Sequence, residues 1–358
     1  MNLSKALVFA REPGAAPGAR AMSHPDPRVS MPALASIANR SLVRHALDWL
    51  DGCGIREVAI IVPDGAATAV RSAVGQDASW GFETRWLEQV PGERFAESLS
   101  VLADFIADEP FVLHLADSIS KHDLPSLVGS AATADDEALL LVQEAGLAAA
   151  ADVIDLHARR SDANGFQATT AASAGVAVIG PAMTAAGAAL DAFPQRGLEM
   201  LGNRVHELGG RVRTRTATNW WRYRSGADAL LEGNRFALQD LTSDYAEATI
   251  SNADIQGPVI AHPTARIESS VVRGPAILGP RARLIDAYVG PYSSIGPDVV
   301  IEGAEIEHSV VLAGASIRHL GGRLEASVVG PHAKVFRDFR LPRALRLQVG
   351  EGAEVSLA

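Results

Sequence analysis

Asp117 is the first residue in this chain whose type and place together suggest chemistry. It follows Pro110-Phe111-Val112-Leu113-His114-Leu115, an apolar run without helical spacing, and so stands at the carboxyl end of an expected buried strand. Ligands of open α/β sheets collect at such ends. Chemistry on triphosphates leans on lysine, yet the chain has only Lys5, Lys121 and Lys334. Lys5 belongs to the start of the first strand. Lys121 lies four residues past Asp117 and could reach a phosphate, although a solvated loop lysine is the plainer reading. A single cysteine, Cys53, excludes an internal disulfide framework and a Cys-rich zinc site, and no H-E-x-x-H is present.

The elements that would position Asp117 alternate. Strands are expected at Ala6–Ala10, Glu57–Val62, Thr84–Leu87 and Pro110–Leu115. Helices are expected at Ser41–Leu50, Ala67–Val74 and Phe95–Ile106. That order implies a parallel sheet with helices on both faces. The uncharged stretch Ala163–Leu190 is broken by Gly175, Gly180, Pro181 and Gly187, so it reads as a buried strand (Gly175–Ile179) followed by a helix, not as a membrane span. Ala227–Arg235 is helical in pattern.

Near residue 256 the pattern changes. Counting in sixes from Val259 gives Ala265, Val271, Ile277, Arg283, Val289, Ile295 and Ile301, all apolar except Arg283. A six-residue period with aliphatic anchors implies a parallel β-helix, with an irregular β-sandwich as the alternative. The expected organisation is an α/β domain over 1–241, a linker over 242–255, and a β-helix over 256–358. Arg337, Arg340, Arg343 and Arg346 alternate with apolar groups and read as a tail capping the last coil.

The chain carries 32 basic and 42 acidic side chains, a net charge of −10, which argues against a generic nucleic-acid binder. The acidity is confined to residues 1–255, because 256–358 hold 11 basic and 10 acidic groups. No targeting segment is visible in the sequence, so a soluble, cytoplasmic protein is expected.

Several stretches resemble one family. Asp286–Gly296, Ile306–Leu312 and Phe336–Pro342 resemble its tail. Trp220-Trp221 followed by Leu230-Leu231-Glu232-Gly233-Asn234-Arg235 resembles its W-W…L-L-E-A-N-R. The family is that of the sugar-1-phosphate nucleotidylyltransferases, in particular the long glucose-1-phosphate thymidylyltransferases. The resemblance covers nearly the whole chain. It implies a nucleotidyltransferase-type, Rossmann-like, parallel-rich sheet followed by a left-handed β-helix. It also implies Mg²⁺-dependent attack of a sugar phosphate on a nucleoside triphosphate, with release of pyrophosphate.

The family's site residues carry over unevenly. Its glycine-rich loop, G-G-x-G-T-R-L, falls on Ala10–Arg20, where only Gly14 is in place. Glu12 adds negative charge there, Pro13 and Pro17 lack N–H donors, and Arg11 and Arg20 are the candidate replacement cations. The lysine of P-K-x-L falls on Ala33. Gln89 falls on a base-reading glutamine, with Arg94 where a glycine is expected. Asp117 matches an Mg²⁺ ligand, but the second ligand falls on Tyr223, flanked by Arg222 and Arg224, which would oppose a cation. Glu199 matches a glutamate near the sugar, and no Glu-Lys-Pro is present.

The pattern implies a catalytically degenerate or repurposed member of the family: a non-catalytic partner, or a binder of nucleotide or sugar phosphate. The alternative is an active enzyme whose phosphate site is rebuilt from Arg11, Arg20 and Arg94, with Mg²⁺ as cofactor. A lesser alternative is a β-helix acyltransferase with His262, His308, His319 or His332 as general base. A homo-oligomer or a partner protein is expected, with no nucleic acid and no membrane.

Overall fold

Lys5-Ala6-Leu7-Val8-Phe9 can be buried on both faces, and it forms a central strand covered on both sides. The structure, a computed structural model, describes residues 3–10, 31–75, 79–89, 101–106, 109–121, 137–144, 153–154, 171–180, 209–223 and 226–339. Contacts divide the chain into two units, Met1–Leu241 and Thr242–Ala358.

In the first unit the described strands are β1 (Lys5–Phe9), β2 (Ser36–Ile37), β3 (Arg40–Ser41), β4 (Glu57–Val62), β5 (Glu83–Glu88), β6 (Phe111–His114), β7 (Ser118–Ser120), β8 (Glu137–Glu144), β9 (Val153–Ile154), β10 (Ala171–Ile179), β11 (Arg211–Thr216) and β12 (Trp220–Arg222). The described helices are α1 (Leu42–Gly52), α2 (Ala67–Val74), α3 (Ala103–Ile106) and α4 (Gly226–Leu238). The main sheet has the order β11-β8-β10-β6-β1-β4-β5, with β9 beside β10. Its centre is parallel, β1 lying between β4 and β6. The sheet is mixed, however, because β10 runs antiparallel to both β6 and β8. The strand–helix alternation that implies a parallel sheet ends at β6. Only the last turns of the helix expected over Phe95–Ile106 are described, and the helix expected after Ile179 lies outside the described residues.

Alternation along the strands sends side chains to two cores. Ala6, Val8, Val58, Ile60 and Val62 pack with Val43, Leu47 and Leu50 of α1 and Val70 of α2. Leu7, Phe9, Ala59 and Ile61 pack with Phe105 and Ile106 on the other face. Helix α1 begins at Ser41, whose hydroxyl accepts the Arg44 N–H, satisfying one of the free donors of the first turn.

The second unit consists, among the described residues, of sixteen short strands in three parallel sheets of six, five and five. This is the stacking of a β-helix. Buried Ile267 pairs with Leu284, and Leu284 with Ile301, so these coils take 17 residues and not three hexads; further on, Ile301 pairs with Ile317 and Ile317 with Val335. Strict counting in sixes therefore slips by one residue in each of the early coils. Val272, Leu278 and Leu284 point inward, whereas Val271 and Ile277 are half-buried and Arg283 is exposed. The short corner follows the first sheet, where Asn252, Ser269, Asp286 and Gly303 take the left-handed conformation one coil apart. The stretch expected as a linker, 242–255, includes strands Thr249–Ser251 and Asp254–Gln256, both paired in register with the next coil. Ile250 and Ile255 are the first rungs of the apolar ladders, one coil before Ile267 and Val272.

Candidate functional site

The chain turns sharply after β6. Ala116 has φ 53°, in the left-handed region, and this swings Asp117 off the strand end into a buried position. There β7 pairs antiparallel with β12, which places Arg222 opposite Ser118. The Tyr223 N–H donates to the Asp117 carbonyl at 2.8 Å and locks the two segments together. The Arg222 guanidinium reaches the Asp117 carboxylate with two charge-assisted hydrogen bonds to Oδ2, from Nε at 3.0 Å and Nη2 at 2.9 Å. Its Nη1 donates to the Ser173 carbonyl on β10 at 3.2 Å. The two side chains are only 8% and 2% exposed, so this is a buried ion pair.

Gly175 shapes the pocket that holds the pair. Its φ is +81°, and a Cβ added to it would lie 2.6 Å from Asp117 Oδ1 and 3.4 Å from Arg222 Nε. Only glycine lets β10 approach the carboxylate so closely. Its carbonyl accepts the Leu115 N–H at 2.9 Å, tying β10 to the same turn.

His114, the last residue of β6, lies against the aromatic pair Trp49 and Trp220, with ring centroids 5.6 and 6.4 Å away. Its Nδ1 accepts the Ala116 N–H at 2.9 Å, which leaves the proton of the neutral ring on Nε2. Burial pushes its pKa down to about 4; Asp117 opposes the shift and Arg222 adds to it. The imidazole is therefore neutral at pH 7.

The other expected site residues divide sharply. Gln89 lies just past β5, half-buried, its N–H donating to the Val62 carbonyl at the end of β4. Ala33 is in a single 3₁₀ turn, Pro32–Leu34, and is 1% exposed within the apolar core. Lys121 is not a solvated loop lysine: it forms an ion pair with Asp240 and lies over the Phe236 ring. Tyr223, where a second metal ligand is expected, is half-buried, and burial raises its phenol pKa, so it keeps its proton. Arg11, Arg20, Arg94 and Glu199 lie outside the described residues. Sequence reasoning missed Gly175 and His114. Its signal for His114 was a polar residue inside an otherwise apolar strand.

An Mg²⁺ ion, which the resembled family implies, does not fit these residues. Among the described residues no three acidic, histidine or cysteine side chains gather to hold a metal. The carboxylate expected to ligate it is already neutralised by a guanidinium in hydrogen-bond contact, and a cation there would face Arg222 directly.

The family model for nucleotidyl transferases matches residues 27–151, a stretch that holds β4, β5, β6 and Asp117. The chain carries a nucleotidyl transferase domain. It is similar over 94% of its length to the low-salt glycan biosynthesis nucleotidyltransferase Agl11 of Haloferax volcanii, at 29% identity and over 96% of that protein. It is 27% identical to a glucose-1-phosphate thymidylyltransferase of Streptomyces griseus, over 99% of both chains. A solved structure from Bacillus anthracis, named as a glucose-1-phosphate thymidylyltransferase and crystallised with sucrose, shares the fold. Its TM-score is 0.51 and its identity 17%, over 67% of this chain and 97% of that one. No helix among the described residues is long and apolar enough to cross a membrane.

Proposed function

We propose that this chain keeps the sugar-1-phosphate nucleotidyltransferase scaffold but has given up metal-dependent nucleotidyl transfer. It acts by binding, as a nucleotide- or sugar-phosphate-binding protein or as the non-catalytic partner of an active subunit. The buried Asp117–Arg222 ion pair carries this reading. Nucleotidyl transfer needs carboxylates that hold Mg²⁺ and cations that hold the triphosphate. Here one carboxylate is consumed by a guanidinium, the position of the second is Tyr223, and the lysine position is Ala33 in the core. At this strand end a buried, mutually neutralised ion pair stands in place of a charged metal site.

A second reading keeps the enzyme active. The match to proteins named as nucleotidyltransferases spans nearly the full length of both chains. In that reading Arg11, Arg20 and Arg94 replace the missing cations.

Pyrophosphate release separates the two. The full chain is incubated with Mg²⁺, glucose 1-phosphate and a panel of nucleoside triphosphates, with Asp117→Asn as control and folding checked for both. No release from folded protein is the expected result. Release that disappears in Asp117→Asn would overturn the binding-only reading and make the three arginines the next targets.

A further inference from the structure

Two ladders of side chains run side by side along the first coils of the β-helix. Thr249, Arg266 and Arg283 occupy the first position of successive strands of one sheet and pair in register. In each of the later two strands the middle residue, Ile267 or Leu284, is buried, and the arginine before it is exposed. Thr264 and Arg281 form the second ladder at the adjoining corner, one coil apart, with the Arg281 N–H donating to Thr264 Oγ1 at 2.9 Å. These five residues line an open groove of about 470 Å³.

The charge in this groove is unbalanced. Elsewhere on the coils, Arg273, Arg318 and Arg323 each find a carboxylate on a neighbouring coil. Arg281 does so too, its Nε and Nη2 each 2.6 Å from an Asp298 oxygen. Arg266 and Arg283 have no carboxylate partner among the described residues. They stand on adjacent strands, about 4.8 Å apart along the stack. Like charges placed directly opposite one another on a sheet are unfavourable. An anion seated between the two guanidinium groups removes that repulsion.

We propose that this groove is a binding site for a phosphorylated small molecule. Guanidinium forks match the oxygen geometry of a phosphoryl group and bind it bidentately. The hydroxyl of Thr249 adds a donor at the rim, whereas that of Thr264 is held between the Arg281 N–H and His262 Nδ1. The volume lies within the range of small-molecule sites and leaves room for the body of a phosphate ester beside its phosphoryl group. The site is built wholly from the second unit, residues 242–358, and does not depend on the state of the Asp117 cleft.

The test is calorimetric titration of the full chain with inorganic phosphate, pyrophosphate and glucose 1-phosphate, at constant ionic strength without added Mg²⁺. The wild type is compared with Arg266→Gln/Arg283→Gln and with Lys334→Gln, which removes an exposed cation from the same face at the far end of the ladder. The expected result is saturable binding that weakens at least tenfold in the double variant and is unchanged in Lys334→Gln. Both variants alter exposed side chains, and circular dichroism melts confirm that the coils remain folded. Preference for glucose 1-phosphate assigns a phosphate monoester, and preference for pyrophosphate a diphosphate. Binding equal in the wild type and the double variant, or no saturable binding of any of the three probes, would overturn the proposal.

Discussion

Removing Arg222 tests the reasoning about the cleft most directly. The Arg222→Met variant keeps much of the side-chain volume and deletes the charge, leaving Asp117 buried without its guanidinium. The pair is nearly closed to solvent, and both hydrogen bonds to Oδ2 are 3.0 Å or shorter. At an effective dielectric of ~20, two charges about 4 Å apart attract by about 4 kcal/mol. Breaking a buried pair by deleting one partner costs about 3–5 kcal/mol. A loss of that size lowers the melting temperature of a domain this large by roughly 10 °C. All five tryptophans, Trp49, Trp80, Trp86, Trp220 and Trp221, lie in the first unit, so urea unfolding followed by tryptophan fluorescence reports that unit alone. Asp117→Asn/Arg222→Met completes a double-mutant cycle. Its loss is expected to fall short of the summed single losses by at least ~2 kcal/mol, because the second change removes a group already left unpaired. If Arg222→Met costs less than about 1 kcal/mol, or the two single losses add, the ion pair does not hold this site together and the argument from it fails.

Three further outcomes follow from neighbouring residues. Gly175→Ala is expected to cost about 2–3 kcal/mol in the same fluorescence assay, since it forces a side chain into the left-handed region against Asp117; a neutral effect would show that β10 does not press on the carboxylate. His114 has a folded pKa of about 4, below its unfolded value near 6.5, so the stability it contributes is complete above pH 6.5 and is lost as pH falls toward 4. The loss amounts to about 3 kcal/mol, and His114→Gln should flatten the stability profile across that window; an unchanged slope would count against a buried neutral imidazole. Ala33→Lys should not restore pyrophosphate release and should destabilise the first unit by ~2 kcal/mol or more, because it puts an ammonium where 1% of the residue is exposed; release by a folded Ala33→Lys protein would contradict the binding-only reading.

Much of the architecture was legible in the chain itself. Glu57–Val62 and Ala67–Val74 are placed to the residue by apolar runs and helical spacing, because burial on one or both faces selects residue types directly. The stacked coils announced themselves through aliphatic repeats, and Asp117 through its place after a buried strand. What sequence could not supply was anything set by chain segments far apart. The 17-residue coil depends on how corners close against their neighbours, and a hexad count has no access to corner geometry. The antiparallel course of β10 depends on which strands it meets. Asp117 and Arg222 are 105 residues apart, and sequence alone showed only an arginine that would oppose a cation. It took the pairing of β7 with β12, and the close approach of Gly175 on β10, to bring that guanidinium onto the carboxylate and exclude water from both. Residue types fixed which charges the cleft contains; tertiary packing decided that these two neutralise each other, because in a buried pocket a carboxylate is stable only against the cation that packing brings to it.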